Sequence, residues 1–321
     1  MALTAHRSSE RIGSAPYRPI RLLRDPFPVW KLLRRAGLSK AASDTLTRGL
    51  KAVRTPGEKR VRKALLQAVG AGPDSATLAH MRRHGWAQIP AEMVPDAAAV
   101  ADDLAAVARE RRASNRPHPG PDSKKAGFLI SLVKHEQFLD YPGFLKFITG
   151  PELVYFAARY LGEAPVLSGA RLWWTPPNET AILSQQYHRD EEDHSQVKFL
   201  LVIEAVTTEN GPFTLIPAEA TQRVMAHADQ GYGRFSDEEV AAGLDGEAPL
   251  VLTGHPGALF AVDTARCLHF GSRRATRDRL MLMAQYTRFD APRSTVPDWG
   301  DGLRPLAAEL DPLQRRALQL S

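Results

Sequence analysis

The spacing of hydrophobic and polar positions changes near residue 165 of this sequence. Before it, apolar residues recur every three or four positions, which is the period of an amphipathic helix. This period predicts one helix that begins at Pro95 and ends near Arg112, and a second that begins at Pro151 and ends before Gly162. The chain before residue 165 is therefore predicted to contribute helices.

After residue 165, short apolar runs separated by turn residues predict strands. These runs are PVLSGARLWW, AILSQQY, VKFLLVIEAV, PFTLIPA, APLVLTG, ALFAVD and RLMLMAQYT. Many short strands with no long helix between them favour a β-sandwich or barrel over βαβ units. VKFLLVIEAV and RLMLMAQYT do not alternate, so both of their faces are predicted to be covered. We therefore predict an α+β fold with a double-sheet jelly-roll, cupin-like core backed by the preceding helices.

The composition is that of an ordinary globular protein. The chain has 321 residues, of which 43% are hydrophobic and 24% charged. We divide it into a basic, mostly helical N-terminal extension (1–75), a jelly-roll domain (76–290) and a C-terminal tail with a short helix (291–321). No apolar stretch is long enough for a membrane span, and the N-terminus lacks the apolar core of a secretory signal. The cytoplasm is therefore the predicted location.

The net charge of +6 is unevenly distributed. Residues 1–70 hold 16 basic and 4 acidic side chains, a net +12, whereas the remainder hold 26 and 32, a net −6. Such a segment can lie on an anionic membrane, a nucleic acid or an acidic partner, or it can fold back with its basic face in water. We predict the folded-back arrangement, with at most weak contact of residues 1–70 with an anionic surface and no nucleic-acid partner.

Candidate metal ligands lie in the segment SQQYHRDEEDH. His188 and Asp190 are two residues apart, so in an extended segment they share one face and can converge on one ion. His227 and Asp229 have the same spacing, which shows that the spacing alone is a weak signal. The first pair lies between apolar strands, whereas the second runs into a Gly-rich polar stretch. We therefore choose His188 and Asp190.

A third ligand, His269, is predicted 81 residues after His188, which leaves room for the strands between them. Cys267 is the only cysteine, so an intramolecular disulfide and a cysteine-built metal site are excluded. Two His and one Asp form a facial triad suited to non-haem Fe(II) oxygen chemistry. A zinc hydrolase can use the same ligand types.

Arg279 favours the iron chemistry. It begins the apolar strand RLMLMAQYT, where an inward guanidinium needs an anionic partner. A bidentate Arg matches the distal carboxylate of a 2-oxo diacid whose keto acid end chelates the metal. Arg277 has the same strand parity and is the alternative for this role. Gln186, two residues before His188, shares its face and is a further pocket candidate.

Five segments between residues 82 and 287, in this order and spacing, resemble a known family: RRHGWAQIP, ARYLGEAPVLSGARLWW, YHRDEEDHSQVKFLLVIEAV, TENGPFTLIPAEAT and DTARCLHFGSRRATRDRLMLMAQYT. The family is the phytanoyl-CoA dioxygenase-like branch of the Fe(II)- and 2-oxoglutarate-dependent oxygenases. The resemblance implies a double-stranded β-helix with His188, Asp190 and His269 as iron ligands. It also implies that Arg279 holds the cosubstrate, with Ser272 near the same carboxylate.

The resemblance implies that Fe(II), 2-oxoglutarate and O2 oxidise a small organic substrate, with release of succinate and CO2. Hydroxylation is the default outcome. The related halogenases carry a small residue in place of the carboxylate, so the presence of Asp190 disfavours halogenation. Two alternatives stay open: a metal-free jelly-roll binding protein recruited through its basic N-terminal segment, and a non-oxidative metal-dependent hydrolase or isomerase.

Overall fold

Helices precede residue 165 and strands dominate after it in the computed structural model, which describes residues 27–70, 75–114, 127–228, 233–294 and 304–320. The helices are α1 (Phe27–Arg35), α2 (Lys40–Arg54), α3 (Glu58–Ala68), α4 (Ala76–His84), α5 (Ala97–Ser114), α6 (Pro142–Ile148), α7 (Pro151–Leu161), α8 (Ala218–His227), α9 (Asp237–Leu244), α10 (Arg304–Ala307) and α11 (Pro312–Ala317). The two helices predicted from the apolar period, α5 and α7, are confirmed. Helix α7 ends at Gly162, whose left-handed φ of 77° suits a residue without a Cβ.

The strands form two antiparallel sheets. They are β1 (Trp86–Ile89), β2 (Ile130–Lys134), β3 (Val166–Thr175), β4 (Tyr187–His188), β5 (Gln196–Val202), β6 (Phe213–Leu215), β7 (Arg234–Phe235), β8 (Leu250–Leu252), β9 (Leu259–Val262), β10 (His269–Phe270) and β11 (Arg279–Thr287). The larger sheet has the order β1-β9-β5-β11-β3-β2, and the smaller has the order β7-β4-β10-β6-β8. The chain is thus a mixed helical and antiparallel-sheet protein, as predicted.

Strand β11 is a long, fully buried strand of the larger sheet. It pairs with β3 on one side and with β5 on the other, and all nine of its residues are buried. Helix α7 covers part of this sheet, where Phe156 meets Phe199 of β5 with ring centroids 5.8 Å apart. The prediction that both faces of these apolar runs are covered is therefore confirmed.

The prediction of a strand over AILSQQY is wrong for all but its last residue. Leu183–Gln185 forms a 3-10 turn instead, with Leu183 in the left-handed region at φ 53°. The Gln185 side chain stabilises this turn by accepting from the backbone N–H of Ile182 at 2.9 Å. Local side-chain-to-backbone hydrogen bonds of this kind compete with a sheet ladder.

Two short helices among the later strands were not predicted. Helices α8 and α9, of ten and eight residues, lie between β6 and β8 and pack on each other, with Gly243 of α9 so close to Val224 of α8 that a Cβ would lie 2.5 Å from the Val224 Cα. Four of their buried residues belong to a small apolar cluster with Tyr187 and Phe270. Both helices are short, so the prediction of no long helix among these strands is not contradicted.

Helices α2 and α3 contact later parts of the chain. Arg62 of α3 is buried and donates to the carbonyls of Ala164 at 3.0 Å and Pro165 at 2.9 Å. Arg48 of α2 pairs with Asp290 at 3.1 Å. Basic side chains of these two helices are therefore paired within the protein.

The division into 1–75, 76–290 and 291–321 stays a prediction. Residues 1–26 of the first part lie outside the described residues. The described part of the C-terminal tail contains two short helices, α10 and α11, where one was predicted. Among the described helices, none has the length and apolarity that crossing a bilayer requires.

Candidate metal centre

His188, Asp190 and His269 meet where two short strands pair. His188 of β4 and His269 of β10 are direct partners in the antiparallel ladder, with ring centroids 4.4 Å apart. Asp190 follows β4, and its backbone N–H donates to the carbonyl of Thr264 at 2.9 Å. Asp190 Oδ1 lies 3.9 Å from His188 Nε2, and Oδ2 lies 3.8 Å from His269 Nε2. Within the described residues, this is the group whose ligand atoms all lie within 4.8 Å of one another.

Backbone carbonyls orient both imidazole rings. His188 Nδ1 lies 2.8 Å from the carbonyl of Gln186, and His269 Nδ1 lies 3.0 Å from the carbonyl of Cys267. A carbonyl only accepts, so each Nδ1 carries the proton and each Nε2 lone pair faces Asp190. Burial lowers the pKa of His188, and it lowers the pKa of His269 to about 3. Both rings are therefore neutral, which is the form that binds metal.

Two side chains of β5 bind the Asp190 carboxylate. Lys198 Nζ donates to Asp190 Oδ2 at 2.5 Å, and Gln196 Nε2 donates to the same oxygen at 3.2 Å. Burial by itself raises the pKa of Asp190, but Lys198, His269 and His188 together lower the pKa further than burial raises it. Asp190 is therefore ionised. Two neutral imidazole nitrogens and one carboxylate fit a divalent iron or zinc ion.

Arg279 is buried behind this centre. Its Nη1 donates to the carbonyl of Gly211 at 2.7 Å, and its Nη2 donates to Ser272 Oγ at 2.6 Å and to Thr175 Oγ1 at 3.2 Å. Burial lowers the pKa of Arg279 to about 10, so it stays charged at neutral pH. No carboxylate among the described residues pairs with it. A buried cation held only by neutral acceptors is suited to bind an anion.

Gly271 lies beside both Arg279 and Phe213, and Phe213 contacts the candidate ligand His269. Phe213 stacks on His269 with ring centroids 5.1 Å apart. A Cβ at Gly271 would lie 3.3 Å from Arg279 Nη1 and 3.6 Å from the Phe213 ring. The glycine thus allows the guanidinium to approach the segment that carries His269.

The structure separates the two arginines that share strand parity. Arg277 is 71% exposed and pairs with Glu209 at 2.8 Å. Arg279 is 5% exposed and points into the protein. The two side chains differ in exposure because β11 begins only at Arg279. Residues two positions apart share a face only within a strand, and Arg277 lies before the strand.

Ser272 and Gln186 contribute in different ways. Ser272 has a left-handed φ of 63°, and its hydroxyl contacts Arg279 and Thr175 Oγ1, the latter at 2.9 Å. Gln186 acts through its backbone carbonyl, which orients His188. The neighbouring Gln185 is the buried one of the two glutamines, and it donates to the carbonyl of Ser272 at 2.6 Å.

Sequence reasoning missed Gln185 and Thr175. A lysine within an apolar strand, such as Lys198, either extends to solvent or meets a carboxylate, and the structure shows that it meets Asp190. The second His-x-Asp pair is not brought to the centre: His227 ends α8 and is exposed, and Asp229 lies outside the described residues.

The acidic loop after Asp190 is held by arginines. Asp193 is buried, and it accepts from Arg48 Nη2 of α2 at 2.6 Å and from Arg288 Nε at 3.1 Å. Glu191 pairs with Arg293 at 2.8 Å. Burial raises the pKa of Asp193, but hydrogen bonds and the two arginines lower it further than burial raises it. Helix α2 therefore helps to hold the loop that carries Asp190, one of the candidate metal ligands.

We expect Asp193→Asn to lower the free energy of unfolding by about 2 kcal/mol, because it removes the anion that pairs with Arg288 and one of the two anions that pair with Arg48. Because the folded-state pKa is lowered, the carboxylate stabilises the protein above its unfolded pKa of about 3.9. The difference in the free energy of unfolding between wild type and variant should therefore be largest at neutral pH and decrease as the pH falls below about 4. Urea unfolding at several pH values measures this difference.

The matched control is Glu247→Gln, which removes an exposed acid paired with Arg223. Exposed ion pairs contribute little, so this variant should unfold within about 0.5 kcal/mol of wild type. Equal effects of the two variants would show that Asp193 does not hold the loop.

The sequence matches no protein-family model and no curated protein. Solved structures do resemble this one. EctD from S. alaskensis with 2-oxoglutarate and 5-hydroxyectoine is 15% identical with a TM-score of 0.51, over 72% of this chain and 84% of that chain. EctD from S. alaskensis with bound Fe is 17% identical with a TM-score of 0.51, over 71% of this chain and 81% of that chain.

A third similar structure is the non-heme alpha ketoglutarate dependent carbocyclase SnoK from nogalamycin biosynthesis, 15% identical with a TM-score of 0.48, over 75% of this chain and 92% of that chain. At these identities, the EctD structures establish a shared fold. This chain therefore has the fold of a protein that has been crystallised with Fe and with 2-oxoglutarate, and it carries a His-Asp-His triad able to bind iron.

Proposed function

We propose that this protein is an Fe(II)- and 2-oxoglutarate-dependent dioxygenase of the phytanoyl-CoA dioxygenase-like type, acting on a small organic substrate, with hydroxylation as its default outcome. The observation that carries the proposal is the combination of a neutral-imidazole and carboxylate triad with a buried arginine that has no carboxylate partner among the described residues. We interpret the two antiparallel sheets as the double-stranded β-helix of this class.

His188, Asp190 and His269 would hold the iron, which when bound supplies the activation of O2 and the oxidative decarboxylation of 2-oxoglutarate to succinate and CO2. The carbonyls of Gln186 and Cys267 keep each Nε2 free of a proton and directed at the metal position. These contacts set the ligand geometry before any ion binds.

Arg279 would bind the distal carboxylate of 2-oxoglutarate. The guanidinium is held by Gly211, Thr175 and Ser272, and these neutral acceptors leave its charge uncompensated. A carboxylate from the cosubstrate would supply the missing charge, and its two oxygens match the planar fork of an arginine.

The same residues argue against the two alternatives. A metal-dependent hydrolase or isomerase gives no reason to bury an arginine without an acid. A binding protein with a degenerate site gives no reason to keep three metal ligands, two oriented rings and that arginine together. Both alternatives leave Arg279 unexplained.

The test is succinate formation from 2-oxoglutarate with ferrous iron under air. We expect slow formation by the wild type even without a substrate, none under nitrogen, and none above background by Asp190→Ala. Succinate formation that is equal in the wild type and Asp190→Ala would refute the proposal. So would a wild type that binds iron but consumes no 2-oxoglutarate with a broad panel of substrates.

A further inference from the structure

Lys198 is a largely buried lysine beside a proposed metal ligand. It lies in β5, where its backbone partners are Val262 of β9 and Gln285 of β11. Its side chain is 12% exposed, and its ammonium group donates to Asp190 Oδ2 at 2.5 Å. A triad of two His and one Asp does not need a lysine at this position, so the lysine requires its own explanation.

The charges around Asp190 explain the presence of this lysine. His188 and His269 direct their Nδ1 atoms at backbone carbonyls and not at Asp190. Gln196 is a neutral donor to the same Asp190 oxygen that Lys198 binds. Among the described residues, Lys198 is therefore the lysine or arginine that pairs with the largely buried Asp190 carboxylate.

A divalent metal at the triad would balance the negative charge of Asp190 in place of Lys198. Two cations then compete for one carboxylate, since the ammonium already occupies Oδ2 and repels a metal placed nearby. We propose that Lys198 is the built-in counter-ion of the metal-free centre: it stabilises the empty site and thereby lowers its affinity for metal. This inference rests on the proposed function only in requiring that the triad binds a divalent metal.

Glu192 is a second carboxylate beside this pair. Its Oε2 accepts from the same Gln196 amide at 3.5 Å. Gln196 thus links Glu192 to the Asp190 oxygen that Lys198 binds.

The experiment is a calorimetric titration of metal-free protein with Co²⁺ alone, together with thermal unfolding of the metal-free and Co²⁺-loaded protein. We expect Lys198→Met to bind Co²⁺ at least about tenfold more tightly than wild type, because the competing charge is gone. We also expect it to unfold at a lower temperature without metal, so that the stabilisation by Co²⁺ becomes larger. Unchanged or weaker Co²⁺ binding by Lys198→Met would overturn the proposal in favour of a role in orienting Asp190.

Two control variants separate charge from contact. Gln196→Met removes the neutral donor to the same oxygen, so it should not tighten Co²⁺ binding. Lys198→Arg keeps the charge, so its affinity should stay near that of wild type. Tighter binding by either control would contradict a competition between charges.

A double variant that removes both charges tests the proposal even if Lys198→Met folds poorly. Asp190→Asn combined with Lys198→Met should regain most of the metal-free stability that Lys198→Met loses, because neither charge is then left alone. If the double variant is no more stable than Lys198→Met, the pair does not stabilise the empty site. This readout stands even when Lys198→Met folds too poorly to titrate.

The outcomes distinguish this inference from the proposed function. A wild type that binds Co²⁺ but forms no succinate overturns the oxygenase proposal and leaves the competition between cations testable. A wild type that forms succinate while Lys198→Met binds Co²⁺ no more tightly overturns the inference alone.

Discussion

Arg279→Leu is expected to raise the 2-oxoglutarate concentration for half-maximal succinate formation by at least about a hundredfold. The guanidinium is buried, so the carboxylate it binds would be left without a charged partner in a site that excludes water. Removing one member of a buried charge pair costs about 2 to 5 kcal/mol, which corresponds to a factor of about 30 to several thousand in affinity. Succinate formation as a function of 2-oxoglutarate concentration measures the change.

The stability of Arg279→Leu distinguishes a binding role from a structural one. Because the buried guanidinium has only neutral acceptors among the described residues, its removal relieves a desolvation cost. We expect the unfolding temperature to stay unchanged or to rise, while Co²⁺ binding stays as in wild type. A loss of several kcal/mol of stability with unchanged 2-oxoglutarate dependence would instead make Arg279 a structural residue.

Arg277→Leu is the matched control for this variant. The two arginines are two positions apart, but Arg277 is exposed and pairs with Glu209. For Arg277→Leu, the 2-oxoglutarate concentration for half-maximal succinate formation should stay within about twofold of wild type, since exposed ion pairs contribute little. An effect as large as that of Arg279→Leu would mean that the loss of positive charge anywhere near β11 weakens binding.

His269→Ala is expected to abolish tight metal binding and to lower succinate formation by about a thousandfold or more. Loss of a residue that merely orients a metal ligand costs about 10- to 100-fold, so loss of the ligand itself costs more. His269 also pairs with His188 in the sheet and stacks on Phe213, so its removal opens the centre. Co²⁺ titration and succinate formation together measure the two effects.

His227→Ala is the control for the loss of a histidine. It belongs to the second His-x-Asp pair of the sequence, but it is exposed at the end of α8. Metal affinity and succinate formation should equal those of wild type. A strong loss of metal binding in His227→Ala, or retained binding in His269→Ala, would place the metal elsewhere.

The local pattern was sufficient to predict many elements. The apolar period predicted α5 and α7, and the runs lacking alternation predicted the buried strands β5 and β11. These succeed because an element buried on one face or on both must show that burial in its own residues. The pattern failed over AILSQQY, where the Gln185 side chain stabilises a turn, and it did not predict the short helices α8 and α9.

Sequence by itself determined the residue types of the centre and the order in which they occur: His188 and Asp190 on one segment, His269 on another and Arg279 on a third. Only the tertiary structure decided which of them meet. Pairing of β4 with β10 brings residues 81 positions apart into register, and the start of β11 at Arg279 separates the buried arginine from the exposed Arg277. The identity of the glutamine beside Ser272, and the contact of Lys198 with Asp190, depend on the same sheet geometry. Such contacts are invisible in a single sequence because spacing along a chain sets which face a side chain occupies, whereas its partner is set by distant backbone that pairs with it.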